Sequence, residues 1–121
     1  MSVQGNEERR RSPRFDLRER VFANVKADGE ALGEIMNMSE GGIALKYLAD
    51  VGSAVGRATL DIFESGRMVL SNVPARTVSD MELPNDFDYS TIELRRMGVA
   101  FEHLTQAQRQ TLRGFIQEKR V

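Results

Sequence analysis

The chain has 121 residues, no cysteine, one histidine and a formal net charge of −1. That length suits one domain with a core of its own, and the absence of thiols excludes disulfides and thiolate metal sites. His103 alone cannot build a His-based zinc site or a serine–histidine triad, and no apolar run approaches the roughly 20 residues that span a bilayer. The N-terminal stretch MSVQGNEERRR lacks the apolar segment of a secretory leader. The expected location is therefore the cytoplasm, without membrane insertion.

Residues 1–12 are polar and charged without periodicity, which predicts a flexible arginine-rich arm ahead of a folded domain over 13–121. From Val21 the period becomes two: Val21, Ala23 and Val25 alternate with Phe22, Asn24 and Lys26, a strand ended by a tight turn at Asp28-Gly29. A second strand covers roughly Ala31 to Met38, with Met36 and Met38 expected on the core face and Ile35 and Asn37 on the other, Asn37 displayed on the exterior. A third places Ile43, Leu45 and Tyr47 on one side. A fourth has Ala58, Leu60 and Ile62 together and closes in the turn Glu64-Ser65-Gly66-Arg67. The fifth, about Met68 to Ser79, contains Pro74 and so is expected at an edge or a bulge, because proline cannot donate to a ladder.

An acidic segment, DMELPNDFD, then reads as a solvated loop or a partner contact. The sixth strand, about Ile92 to Glu102, puts Met97, Val99 and Phe101 on one face. Thr105 and Gln108 have the spacing of a capping box, opening a helix over about 105–119. Its stripe of Leu112, Phe115 and Ile116 suits the barrel or a second subunit, so a homodimer is left open. The fold class expected is mainly β, a six-stranded antiparallel barrel with a C-terminal helix.

Two stretches carry chemistry. The first, ERRRSPRF (Glu8 to Phe15), holds Arg9, Arg10, Arg11 and Arg14. A guanidinium presents a fixed fork of donors matching phosphate oxygens or the O6/N7 edge of guanine. Pro13 stiffens the arm, and Phe15 is an apolar anchor where it meets the body. Residues 1–20 carry +2, which leaves −3 on the rest, and a basic arm on an acidic body suits a small anion better than a DNA duplex. A solvated tail is the plainer alternative.

The second stretch is NMSEGG, Asn37 to Gly42. The amide of Asn37 can both accept and donate, and Ser39 offers a hydroxyl. Gly41 and Gly42 are expected to permit positive φ and close approach of an anion. A local turn explains the same residues. His103, Asp28, Asp50, Asp61 and Asp80 show no catalytic or metal-loop pattern. With no nucleophile–base pair, no catalytic residue and no metal or cofactor are expected, and the methionines read as core.

Taken as a pair, Arg10-x-x-x-Arg14 and Asn37-x-Ser39-x-x-Gly42 resemble the double signature of PilZ domains, bacterial receptors for the second messenger cyclic di-GMP. RRSPRF, GVAFEHLTQAQRQTLRGFI and the terminal helix extend the resemblance over roughly residues 8–118. It implies that Arg10 and Arg14 each address a guanine edge and a phosphate. Asn37 would read the opposite base edge, standing where the family often has aspartate. Ser39 would bond a phosphate or base edge, and Gly41 and Gly42 would allow the turn. Arg9 and Arg11 would complete the clamp, with Arg9 suiting two stacked ligands.

Arg14-x-x-x-Arg18 is an alternative register. The reading is a receptor whose arm orders on ligand and signals to an unidentified effector protein. A small barrel tracking single-stranded nucleic acid, disfavoured by an acidic body with two tyrosines and six phenylalanines, and a degenerate interaction module are the alternatives.

Overall fold

The computed structural model describes residues 15–16, 20–27, 29–49, 56–83 and 93–119. In chain order the elements are β1 (Phe15–Asp16), β2 (Phe22–Lys26), β3 (Glu30–Met38), β4 (Gly42–Ala49), β5 (Gly56–Glu64), β6 (Arg67–Glu82), β7 (Glu93–Phe101) and α1 (Gln106–Lys119). Six antiparallel strands run in the order β3-β2-β5-β6-β7-β4, and β4 pairs back onto β3 to close the barrel. Closure leaves these strands without a free edge along their paired lengths. The two-residue β1 is extra, pairing Phe15 with Met38 and Asp16 with Asn37 at the far end of β3.

The period-two residues fill the interior. Val21, Ala23, Ile43, Leu45, Leu60, Ile62, Met97 and Val99 are all essentially without solvent exposure. Each large apolar side chain buried this way contributes about 1.5–3 kcal/mol. The β5–β6 hairpin turns at Ser65 (φ 52°) and Gly66 (φ 77°), two consecutive positive φ values that match the right-handed twist of the strands. The β2–β3 hairpin closes on the pair Lys26–Glu30. Gly29 has no positive φ there, and Asp28 lies outside the described residues.

Several expectations are corrected by strand irregularities. Met36 was expected inside but is exposed, because β3 bulges against β4 between Ile35 and Asn37. The extra residue shifts the alternation, so Ile35 and Met38 both point inward while Met36 is expelled. Met68 and Met81 are also exposed: the first follows the β5–β6 turn, and the second sits on the outer register of β6. Pro74 is in a closed barrel, yet its position is edge-like. The β6–β7 ladder begins at Ala75–Phe101, and the Pro74 carbonyl accepts from the Glu102 N–H at 2.9 Å. The missing proline N–H thus faces chain beyond the last residue of β7. A further irregularity leaves Asn72 at φ 53°. Its N–H donates to Asp61 Oδ1 at 2.8 Å, and Lys26 Nζ lies 3.0 Å from the other oxygen. Asp61 is thereby assigned to holding β6 in shape.

The capping box forms as its spacing predicts. Thr105 N–H donates to Gln108 Oε1 at 2.9 Å, and Gln108 N–H donates to Thr105 Oγ1 at 3.0 Å. Leu112, Phe115 and Ile116 join the barrel core, so the chain's own barrel takes the apolar stripe. At the helix end, Lys119 Nζ meets Glu64 Oε2 at 2.6 Å, both side chains 8% exposed. Among the described residues, no helix is long and apolar enough to cross a membrane.

Candidate functional site

The arginines of the first stretch, Arg9, Arg10, Arg11 and Arg14, lie outside the described residues, as does Arg18. Phe15, the residue after Arg14, opens β1. Its pairing with Met38 carries the backbone that leaves the arginine stretch to the end of β3 that bears Asn37. The two stretches, 23 positions apart between Arg14 and Asn37 in the sequence, thus converge through one short ladder.

Asn37 pairs with Ala44 across the β3–β4 ladder, between the inward pairs Ile35–Leu45 and Met38–Ile43. That register sets it on the outer side, half-buried. Ser39 behaves differently from a displayed hydroxyl. It is 4% exposed, and its Oγ accepts from the Gly41 N–H at 3.1 Å while its own N–H donates to the Gly42 carbonyl at 2.9 Å. These bonds make it the stabiliser of the β3–β4 turn. Glu40, in the same turn, pairs with Arg113 of α1 at 2.9 Å.

Neither Gly41 nor Gly42 has a positive φ, contrary to the sequence expectation. The demand on Gly42 is space: a Cβ there would lie 2.2 Å from the Val99 carbonyl oxygen and 3.1 Å from Ala100 Cα. The turn is drawn against β7, and the Phe101 N–H closes it by donating to the Gly41 carbonyl at 2.9 Å.

Cross-strand pairs extend this face in a way the linear sequence does not display. Gly42 lies opposite Ala100, and Ala44 opposite Gly98. The outward positions of β4 and β7 nearest the turn therefore carry nothing larger than a methyl group. Met36 on β3 and Val78 on β6, the latter skipped by the β6–β7 register, are exposed. Val78 Cγ2 and Ser79 Oγ stand 3.5 and 2.6 Å from where a Gly98 Cβ would be. The strip is covered: Gly42, Ala44 and Gly98 are buried, Ala44 to 1% exposure, and Ala100 is half-buried, with the Asn37 amide at its edge. The next pair along the ladder is Lys46–Arg96. Pattern reading missed Ala44, Gly98 and Ala100 because small residues on an outer face carry no periodic signal.

The other polar cluster is a closed network at the opposite end of β4 and β7. Arg95 Nε donates to Asp80 Oδ1 at 2.7 Å, and its Nη1 reaches Glu93. The Tyr47 hydroxyl donates to Asp80 Oδ2. The Asp80 hydrogen bond raises the Arg95 pKa above its ordinary value, against the opposing effect of burial. Satisfied groups of this kind close a barrel end and offer no open donor set. His103 is exposed at the strand–helix junction. Among the described residues no cluster of three or more histidine, cysteine, aspartate or glutamate side chains could hold a metal ion.

Comparison with known proteins agrees with this architecture. The PilZ domain of YcgR from Escherichia coli, solved with c-di-GMP, superposes with a TM-score of 0.67 at 16% identity, covering 91% of this chain and 90% of that one. The K. pneumonia MrkH–c-di-GMP complex gives 0.67 at 14% identity, covering 90% of this chain and 51% of MrkH. The Bacillus subtilis inhibitor of motility MotI/DgrA gives 0.65 at 22%, covering 91% and 50%. The chain thus spans about half the length of the latter two. No curated protein sequence matches it. At these identities the likeness establishes the fold, while the model of the PilZ domain matches residues 8–118 of the sequence itself. By that match and by its barrel, the chain belongs to the PilZ domain family.

Proposed function

We propose that this chain is a cyclic di-GMP receptor that performs no chemistry on its ligand and relays the bound state to an effector protein in the cytoplasm. In this reading residues 1–12 are an arm and 13–121 the barrel domain. The arm's Arg9, Arg10, Arg11 and Arg14 close on the face bearing Asn37. Guanidinium forks suit the phosphates and the guanine O6/N7 edges, and the Asn37 amide suits the guanine edge that donates.

The observation that carries the reading is β1, which leads from Arg14 to the strand end holding Asn37. Family membership supplies the ligand class, and solved neighbours of the same fold were captured with c-di-GMP. Ser39 and Gly42 support the turn that presents Asn37, and Gly41 completes it. Ordering of the arm would change the exposed surface and so be legible to a partner.

Titration calorimetry with cyclic di-GMP tests this and reads the stoichiometry, one or two ligands per domain. Arg10→Ala and Arg14→Ala are each expected to abolish measurable binding, and Asn37→Ala to weaken it at least tenfold. Arg18→Ala, which separates the two registers, is expected to leave affinity unchanged. Full affinity in both Arg10→Ala and Arg14→Ala would sink the assignment.

A further inference from the structure

Beyond the glycine–alanine strip the outer face changes character over two adjacent rows. Lys46 of β4 lies directly opposite Arg96 of β7, and Arg96 opposite Met81 of β6. Two residues further on, Leu48 lies opposite Leu94, and the Leu83 N–H donates to the Leu94 carbonyl at 2.7 Å. A cation row thus borders a leucine row. Leu48 is 64% exposed and Met81 51%, with Leu94 and Leu83 half-buried beside them. Leu32, 61% exposed, continues the apolar row on β3, two residues before Glu34, the cross-strand partner of Lys46.

Neither half of this surface is explained by folding. Like charges directly opposite one another in a ladder repel, and among the described residues Lys46 and Arg96 have no ion-paired carboxylate. Seven of the eleven lysines and arginines among the described residues are ion-paired. Glu34, the cross-strand neighbour of Lys46, is ion-paired with Arg20 at 3.6 Å. Exposed apolar residues scattered singly need no cause, but contiguous ones mark a contact surface. A phosphate would use the cation row and gain nothing from the leucines. An apolar partner would use the leucines and leave two repelling cations buried at its edge.

We propose that this face docks a linear segment of another protein carrying interleaved apolar and acidic side chains. Leucine-sized groups pack on Leu48, Leu94 and Leu83, and carboxylates relieve the Lys46–Arg96 repulsion. The surface is continuous with the face of Asn37, since Lys46–Arg96 is the next outward pair after Ala44–Gly98, about 7 Å along the strands. A ligand seated there would border the docked segment directly. Neither Lys46 nor Arg96 is among the contacts assigned to cyclic di-GMP, so the two proposals fail separately.

The test is selection of a random 12-residue peptide library on the full chain, with counter-selection on Lys46→Glu/Arg96→Glu. Enriched peptides are expected to combine aspartate or glutamate with leucine-like residues. Bound, they should shift the amide resonances of β4, β7 and the end of β6. A selected peptide should lose at least tenfold in affinity on Leu48→Ser and on the charge reversal, while both variants keep the parent melting temperature and their affinity for cyclic di-GMP. No enrichment, enrichment without acidic bias, or affinities within twofold of parent in both variants would overturn the proposal. So would a tenfold loss of cyclic di-GMP affinity on charge reversal, which assigns the cations to the ligand. A concentration-dependent dimer abolished by Leu48→Ser would give the face to a second copy of the chain and equally overturn it.

Discussion

Gly42 offers the sharpest test of what the Asn37-x-Ser39-x-x-Gly42 spacing encodes. In Gly42→Ala the new Cβ would lie 2.2 Å from the Val99 carbonyl oxygen. An ordinary carbon–oxygen contact is about 3.3 Å, so β7 must retreat by about 1 Å. The Phe101 N–H to Gly41 C=O bond, now 2.9 Å, then stretches past hydrogen-bonding range. That bond is worth about 1 kcal/mol, and overpacking adds about 1–3 kcal/mol. The expected loss is about 3 kcal/mol, or about 12 °C in melting temperature at about 4 °C per kcal/mol for a chain of this size.

Thermal unfolding followed by circular dichroism measures it. Gly114→Ala is the internal control: exposed in α1, with nothing within 4 Å of its Cβ, it should gain about 1 kcal/mol from helix propensity. Gly42→Asn separates the two explanations of the glycine, because asparagine tolerates positive φ. If contact rules, Gly42→Asn is at least as damaging as Gly42→Ala. A Gly42→Ala protein melting within 2 °C of the parent would refute the contact argument.

Three further outcomes are expected. Thr105→Ala removes the acceptor for the Gln108 N–H and should cost about 1 kcal/mol by denaturant unfolding, with Thr105→Ser close to the parent. Asp80→Ala strips Arg95, whose side chain is 14% exposed, of its principal partner and should cost about 3 kcal/mol. Glu64 is held below the ordinary carboxylate range chiefly by its hydrogen bond from Lys119, against burial. Its stabilisation is therefore complete above the usual value of about 4.3 and lost as pH falls through the lowered one. The gap in melting temperature between the parent and Glu64→Gln should shrink on going from pH 6 to pH 3, and a constant gap would refute the linkage.

The barrel was legible because its signals are local and redundant. Val21, Ala23 and Val25, or Ile43, Leu45 and Tyr47, alternate within a few residues, and Thr105 with Gln108 announces the helix in four. What stayed hidden depends on pairing across the sheet. The bulge that expels Met36 exists because β4 offers one residue, Leu45, where β3 supplies two. The position of Pro74 makes sense only once β7 is known to end at Phe101. The Lys46–Arg96 repulsion and the glycine–alanine strip likewise need register, which single-strand periodicity does not contain. β1 is two residues long, too short for any periodic signal.

The same distinction bears on the second stretch. Ser39 and Gly42 were singled out as ligand residues, yet each has a sufficient reason within the fold: the hydroxyl ties the turn, and the missing Cβ admits β7. A PilZ chain that had lost its ligand would keep both for the sake of its barrel. Their presence therefore carries little weight in deciding whether this chain binds anything. Asn37 differs in position, lying on the outer side of β3, half-buried at the strand end that β1 reaches. Any loss of affinity on substituting Ser39 or Gly42 would come with a loosened fold and so decide nothing. The ligand question rests on Arg10, Arg14 and Asn37, and a loss of affinity there counts only when the melting temperature stays in place.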